Sequence, residues 1–384
     1  MTELKKCLYC TEEKDISEFS LEHIFPDSLG GTRFSELFKT RNVCARCNSI
    51  SGLFIDGPFI KNFFSQNDKA QAALRFIDLK KPSPLPMQYM GGLKNIEVSN
   101  TKVCEFWFGP HGGLVYHVRN KADKKWDCMI GGNPIGKKKD NGSVYIYAQN
   151  ANEYWVAVLL LSCLDTFDGA RLISGNIDLP PVPEGEKPYF DTPNEEEQKM
   201  LEQIRRLQGV VHNGNFPVQV GFEQRFVAKL ALGLGVNLFG EKFLASSYST
   251  SLRNAMWEKD LEKRQGFGVQ FYKYFTDDNS LADLFAIDGA HTILFYPQEE
   301  KLFLMAFIYG RKMLMIPLAI EKSIWEPNIK EGYIYVAAPQ VDKFIGPISV
   351  SEYVAYKGGI HKIPAMDDLM KMTFDVSTLP KITD

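Results

Sequence analysis

Four cysteines in two pairs are the first residues of this chain whose spacing can do chemistry. Cys7-Leu-Tyr-Cys10 and Cys44-Ala-Arg-Cys47 are C-x-x-C knuckles separated by residues 11–43. Each knuckle offers two thiolates from one tight turn, and two knuckles complete a tetrahedral four-sulfur site for zinc. A closed four-thiolate shell leaves no position for water or substrate, so such a zinc is structural. It would also let a short segment fold around a small core. Two other readings of the cysteines stay open, four unrelated buried thiols or a redox C-x-x-C. The redox reading wants a βαβ context, which this stretch lacks.

A second cluster lies between and beside the knuckles. It comprises Glu22-His23-Ile24-Phe25-Pro26-Asp27-Ser28-Leu29-Gly30-Gly31, then Asn42, then Asn48 directly after the second knuckle. Hydrolysis of a phosphodiester needs an activated water and something to offset charge on the transition state and leaving oxygen. A histidine, with a free pKa of about 6.5, can accept the proton of the attacking water at neutral pH. A hard divalent cation takes carboxylate and amide oxygens and clamps phosphate oxygens. Glu22 puts a carboxylate next to His23, although adjacent strand residues point to opposite faces. If the two lie on a strand, a local distortion or a loop just past the strand end would have to aim both at one site.

The order C-x-x-C, E-H-I-x-P-x-S-L-G-G, N-V-C-x-x-C-N, then Gly52 and Asp56 resembles the HNH endonuclease superfamily, in its branch with two Cys pairs. The resemblance covers roughly residues 7–60. It implies a ββα unit around a metal and a metal-dependent endonuclease acting on DNA. It implies His23 as general base, Glu22 and Asn48 as ligands of a catalytic Mg²⁺ or Mn²⁺, and Asn42 as the residue that orders the loop and orients the base. Cys7, Cys10, Cys44 and Cys47 hold the structural Zn²⁺ in that reading. Gly30 and Gly31 match the glycine turn between the strands, and Asp56 receives no assigned role. The last metal position is Asn rather than His, which favours an oxygen-rich site over catalytic zinc. Arg33, Arg41 and Arg46 are the basic residues expected to meet nucleic acid.

The alternatives are an HNH enzyme that cuts RNA, and a zinc-stapled nucleic-acid-binding module without catalysis. The trio Glu22, His23 and Asn48 separates them, since a pure zinc-ribbon binder has no need of it. One ββα site cuts one strand, so a duplex break would call for a homodimer or for sequential nicking. Restriction or anti-phage defence, with an unidentified activator or regulatory ligand, suits the remaining residues of such a chain.

Other motifs are weaker. Gly233-Leu-Gly235 follows no predicted strand, which argues against a dinucleotide fingerprint. Lys137-Lys138-Lys139, with Lys124 and Lys125, read first as a solvated turn. His111, His117, His212, His291 and His361 lack metal spacing. Cys104, Cys128 and Cys163 read as small buried hydrophobes.

The frame that must position these residues is a chain of 384 residues with 45% hydrophobic and 24% charged content. That length predicts two or three domains, and the composition excludes fibrous and wholly disordered classes. A net charge of -3 does not indicate a generic DNA-coating protein, yet a local basic face can coexist with it. The start of the chain shows no secretory pattern, and the apolar run Trp155 to Leu161 is far short of the ~20 residues of a membrane span. Seven cysteines fit a reducing compartment, so cytoplasm with no membrane is expected and the Asn141-Gly-Ser sequon carries no glycan.

The predicted fold class is α+β, an N-terminal ββα-metal module followed by a larger mixed region. Expected boundaries are 1–66, 67–195 with a linker near 179–195, and 196–384. Alternation predicts strands at Val103 to Phe108, Leu114 to Val118, Val144 to Tyr147, Thr292 to Tyr296, Leu302 to Tyr309 and Met313 to Leu318. Helical spacing predicts Asn152 to Phe167, Asn194 to Leu207 and Glu223 to Phe239. The segment from Glu223 through Lys229 to Arg253 is similar to the region behind the nuclease unit in many bacterial HNH proteins, and it names no ligand.

Overall fold

The computed structural model describes residues 3–122, 141–149, 152–180, 185, 188–207, 209, 214–215, 221–275 and 280–375. Lys124, Lys125, Lys137, Lys138, Lys139, Cys128 and His212 lie outside the described residues. The architecture is mixed α and β, and it divides into two compact units, Met1–Ile60 with Gln219–Phe374, and Lys61–Val218 with Asp375–Asp384. The three stretches expected from the sequence are thus cut differently, with the first sixty residues sharing a unit with the C-terminal region.

The chain opens with a short hairpin, β1 (Leu4–Lys6) and β2 (Glu13–Asp15), whose turn is the first knuckle. Next come β3 (Phe19–His23) and β4 (Lys39–Cys44), antiparallel and joined by residues 24–38, and then α1 (Ala45–Ser51). This is the ββα unit. The helix continues through a wider turn at Gly52–Asp56 into α2 (Gly57–Lys61). Within the connecting loop Gly30 has φ +88°. A Cβ on Gly31 would lie 1.7 Å from the carbonyl oxygen of Phe25, so the close chain approach demands glycine there.

The second unit holds α3 (Phe63–Ala73), β5 (Gln88–Leu93), β6 (Lys102–Phe108), β7 (Leu114–Asn120), β8 (Ser143–Tyr147), α4 (Glu153–Thr166), β9 (Arg171–Ser174), α5 (Glu195–Arg206) and β10 (Gly214–Asn215). Its strands form one sheet in the order β10-β5-β6-β7-β8-β9, antiparallel except for the β8–β9 pair, which α4 connects. Period-two alternation decides which face each residue serves. Val144 and Ile146 pack under Leu159 and Cys163 of α4, while Tyr145 and Tyr147 pack under Met200, Leu201 and Ile204 of α5. Asn194 caps α5 in a reciprocal capping box with Glu197. Cys104 and Cys163 are buried in these two cores, matching their reading as small hydrophobes.

The rest of the first unit comprises α6 (Phe222–Leu244), α7 (Ser247–Trp257), α8 (Leu261–Gln265), β11 (Tyr272–Phe275), α9 (Ser280–Phe285), β12 (His291–Gln298), β13 (Lys301–Ile308), β14 (Lys312–Ala319), α10 (Lys322–Trp325), β15 (Tyr333–Ala338), β16 (Lys343–Ser349), α11 (Val350–Lys357) and α12 (Pro364–Lys371). Six strands form an antiparallel sheet in the order β11-β14-β13-β12-β15-β16. The first half of α6, from Glu223 to Gly235, is buried all round, against both the ββα unit and the sheet. The close fit explains Gly233-Leu-Gly235. A Cβ on Gly233 would meet Ile24 at 2.7 Å, and one on Gly235 would meet Phe243 at 2.3 Å. Among the described residues no helix is long and apolar enough to cross a membrane.

Candidate active site

The two knuckles come together because one is the turn of a hairpin and the other joins a strand to a helix. In the first, the Thr11 N–H donates to the Cys7 carbonyl at 2.9 Å, with Thr11 at φ +62°. In the second, Cys44 ends β4 and is the N-cap residue of α1, which brings Cys47 into the first helical turn. The Cys44 N–H donates to Cys7 Sγ at 3.3 Å, across the pair of knuckles. All four Sγ atoms lie within 4.8 Å of one another. Thiolates around one zinc at about 2.3 Å sit roughly 3.8 Å apart, so the donor set fits that ion. At Cys7 burial is outweighed by hydrogen bonds from the Cys44, Cys10 and Tyr9 backbone, which hold the thiol below its ordinary range. Without a cation Cys47 resists ionisation, since burial and then the charge of Cys7 push its thiol far up. A divalent ion inverts that logic by binding the thiolate form. Helix α7 braces the first knuckle from outside. Arg253 Nε donates to the Leu8 carbonyl at 2.9 Å, and Trp257 Nε1 to the Tyr9 carbonyl at 3.1 Å.

The hairpin β3–β4 carries a register shift beside Glu22 and His23. Phe19 and Ser20 pair with Cys44 and Val43, whereas Glu22 and His23 pair with Thr40 and Lys39. Arg41 and Asn42 therefore share the place opposite Leu21, a bulge of the kind that re-aims side chains near active sites. The Asn42 N–H donates to Thr40 Oγ1, and its carbonyl accepts from the Leu8 N–H at 2.8 Å. Asn42 thus joins the bulge to the first knuckle through its backbone. His23 closes β3, and its Nε2 is buried without a hydrogen bond among the described residues. Asn48, on α1, donates from Nδ2 to Ser20 Oγ at 3.0 Å and to the Leu21 carbonyl at 2.8 Å. The amide nitrogen is thereby committed to β3, two residues before His23.

Glu22 is only 2% exposed, and its Oε1 receives the Tyr9 hydroxyl at 3.1 Å and Lys229 Nζ at 2.7 Å. The same ammonium meets Asp56 Oδ2 at 2.6 Å and the His23 carbonyl at 3.4 Å. Burial pushes Asp56 up to about 6 even though Lys229 opposes that shift. Lys229 is fully buried, yet Asp56 and then Glu22 outweigh its burial and hold it charged. Tyr9 is held protonated by burial and by the Glu22 charge. The carboxylate expected to bind a divalent metal is therefore already neutralised by a lysine, and in this arrangement the residues do not fit a second cation.

The three arginines are all exposed. Arg41 and Arg46 lie at the β4–α1 end of the unit, whereas Arg33 pairs with Asp342. Among the other histidines, His111 stacks on Trp155, His117 meets Glu105 and His361 meets Glu352. His291 is wholly buried in β12. Sequence reading gave Tyr9 and Lys229 no role. The available signal was a lone charge in the apolar run Phe226 to Gly235, since a lysine is almost never fully buried unless paired.

Residues 7–64 match the family model described as HNH endonuclease. Among curated proteins and among solved structures, none matches the chain. The segment that carries the four-cysteine cluster and the β3–β4–α1 unit is accordingly an HNH endonuclease domain, residues 7–64 of this chain.

Proposed function

We propose that the chain is a metal-dependent endonuclease that hydrolyses DNA phosphodiester bonds, with His23 as general base and a structural zinc in the cysteine cluster. The observation that carries this reading is the bulged hairpin ending at His23, with Asn48 facing it from α1, inside the segment of nuclease family. His23 takes the proton of a water whose oxygen forms the new bond to phosphorus as the bond to the leaving oxygen breaks. Asn42 steadies the loop behind that histidine, and exposed Arg41 and Arg46 attract the phosphate backbone. Arg33 contributes once freed from Asp342. Once Lys229 leaves Glu22, Glu22 and Asn48 would be the residues to hold Mg²⁺ or Mn²⁺, and the ion would supply charge stabilisation on the phosphate and leaving oxygen. A nuclease held in check by the rest of its chain suits restriction or anti-phage defence.

The test is cleavage of supercoiled plasmid in Mn²⁺ or Mg²⁺ by wild type and by His23→Ala, beside an EDTA control and an RNA substrate. Metal-dependent nicking that disappears in His23→Ala is expected. Cutting that survives the substitution overturns the role of His23, and cutting confined to RNA reassigns the substrate. The engagement of Glu22 by Lys229 favours one rival, a nucleic-acid-binding module without catalysis. Failure of both wild type and Lys229→Met to cut, with DNA binding intact, would leave that rival or an enzyme awaiting its activator.

A further inference from the structure

We propose that the Lys229 ammonium and a divalent cation compete for one buried cradle, formed by the carboxylates of Glu22 and Asp56 and the carbonyl of His23. On this view the nuclease site accepts its metal only when α6 withdraws that lysine. The link to catalysis rests on the endonuclease reading, whereas the competition itself does not.

Three kinds of observation support the competition. The first is the donor set. Nζ of Lys229 has Asp56 Oδ2 at 2.6 Å, Glu22 Oε1 at 2.7 Å and the His23 carbonyl at 3.4 Å, all hard oxygens of the type Mg²⁺ and Mn²⁺ take. The second is a spare acceptor. Asp56 is 9% exposed, and its Oδ1 is buried without a hydrogen bond among the described residues. A buried carboxylate oxygen left without a donor is costly, and a metal ion would use it. The third is charge. Two carboxylates with one ammonium leave the cradle at net −1, while a divalent ion in place of the ammonium brings it to zero. Both cations together would leave it positive and set like charges a few ångströms apart in a buried site, so one excludes the other.

Helix α6 has the means to hold the lysine in place. Asn237 Nδ2 donates to the carbonyls of Leu37 and Lys39, each at 2.8 Å, and Gly233 seats against Ile24. Those contacts fix α6 on both ends of the β3–β4 loop, so Lys229 is delivered to the cradle by the fold rather than by its own flexibility. Any ligand or partner that shifts α6 would open the cradle.

The experiment titrates the zinc-loaded full chain with Mn²⁺ and no nucleic acid, reading free Mn²⁺ by paramagnetic resonance and the melting temperature in parallel. Lys229→Met removes the ammonium while keeping most of the stem. It is expected to bind Mn²⁺ roughly tenfold or more tighter than wild type and to gain melting temperature with Mn²⁺. Adding Glu22→Gln or Asp56→Asn to Lys229→Met should abolish both gains. A folded Lys229→Met with wild-type Mn²⁺ affinity overturns the proposal. So does a wild-type Mn²⁺ site of equal affinity that Glu22→Gln destroys. Should Lys229→Met fail to fold in metal-free buffer, refolding in Mn²⁺ decides the matter. Recovery with Mn²⁺ but not with KCl of equal ionic strength supports the competition, and no recovery refutes it. Because nothing is cut in this assay, its result is independent of whether the chain proves to be a nuclease.

Discussion

Cys44 is the last residue of β4 and the N-cap residue of α1, and its N–H reaches Cys7 Sγ. One residue thus fixes where a strand stops, where a helix starts and how the two knuckles meet. The thiol three residues on, Cys47, is 6% exposed and pushed far up by its burial, so only a cation can keep it ionised. Cys47→Ser should therefore drop the zinc content of the purified protein from one per chain toward zero. The expected stability loss is on the order of 4 kcal/mol, less than an isolated zinc finger would lose because Arg253 and Trp257 still brace the first knuckle. Zinc analysis and denaturant unfolding check both numbers, and unchanged zinc content would remove the structural-zinc assignment.

At the scale of elements, α6 shows how far a sequence can be read. The helix is legible from the spacing of Phe226, Leu230, Leu234 and Leu238, and it is found at Phe222–Leu244. Strands with clear alternation, such as those at 103–108 and 302–309, are found within a residue or two of their expected ends. The cysteine cluster is legible because two knuckles constrain geometry at the scale of a few bonds. The partners of Lys229 are not, because Asp56 lies 173 residues away in sequence and no local pattern couples the two. Burial on every side is likewise invisible to a periodicity that reports one stripe. The same burial gives Gly233 its meaning. An added Cβ would sit 2.7 Å from Ile24, itself wholly buried, so the neighbour cannot step aside cheaply. Gly233→Ala should cost roughly 1–3 kcal/mol despite the better helix propensity of alanine. Combined with Ile24→Val it should cost less than the two single changes added together. Additive losses in urea unfolding would show that the helix does not depend on this contact.

For the whole molecule, the decisive fact is that the ββα unit does not keep its apolar side chains to itself. Phe25 packs on Phe226 and His291, Phe34 on Phe344, and Phe38 on Tyr335 and Phe344, all supplied by residues after 218. Fully burying an aromatic of this size is worth about 1.5–3 kcal/mol. Exposing part of three such rings removes on the order of 5 kcal/mol, comparable to the whole stability of a small domain. Truncation also strips Lys229 from Glu22 and Asp56, and a buried charge robbed of its partner costs about 3–5 kcal/mol where it stays buried. Zinc alone must then hold a segment with an open apolar face and two facing carboxylates. The fragment 1–66, although it contains every residue of the family match, is therefore expected to bind zinc yet lack fixed tertiary structure. Its amide spectrum should be poorly dispersed and its near-ultraviolet circular dichroism weak. A dispersed spectrum with zinc at wild-type affinity would show that the module folds alone, and that the C-terminal region of this unit is a partner of the nuclease fold rather than part of it.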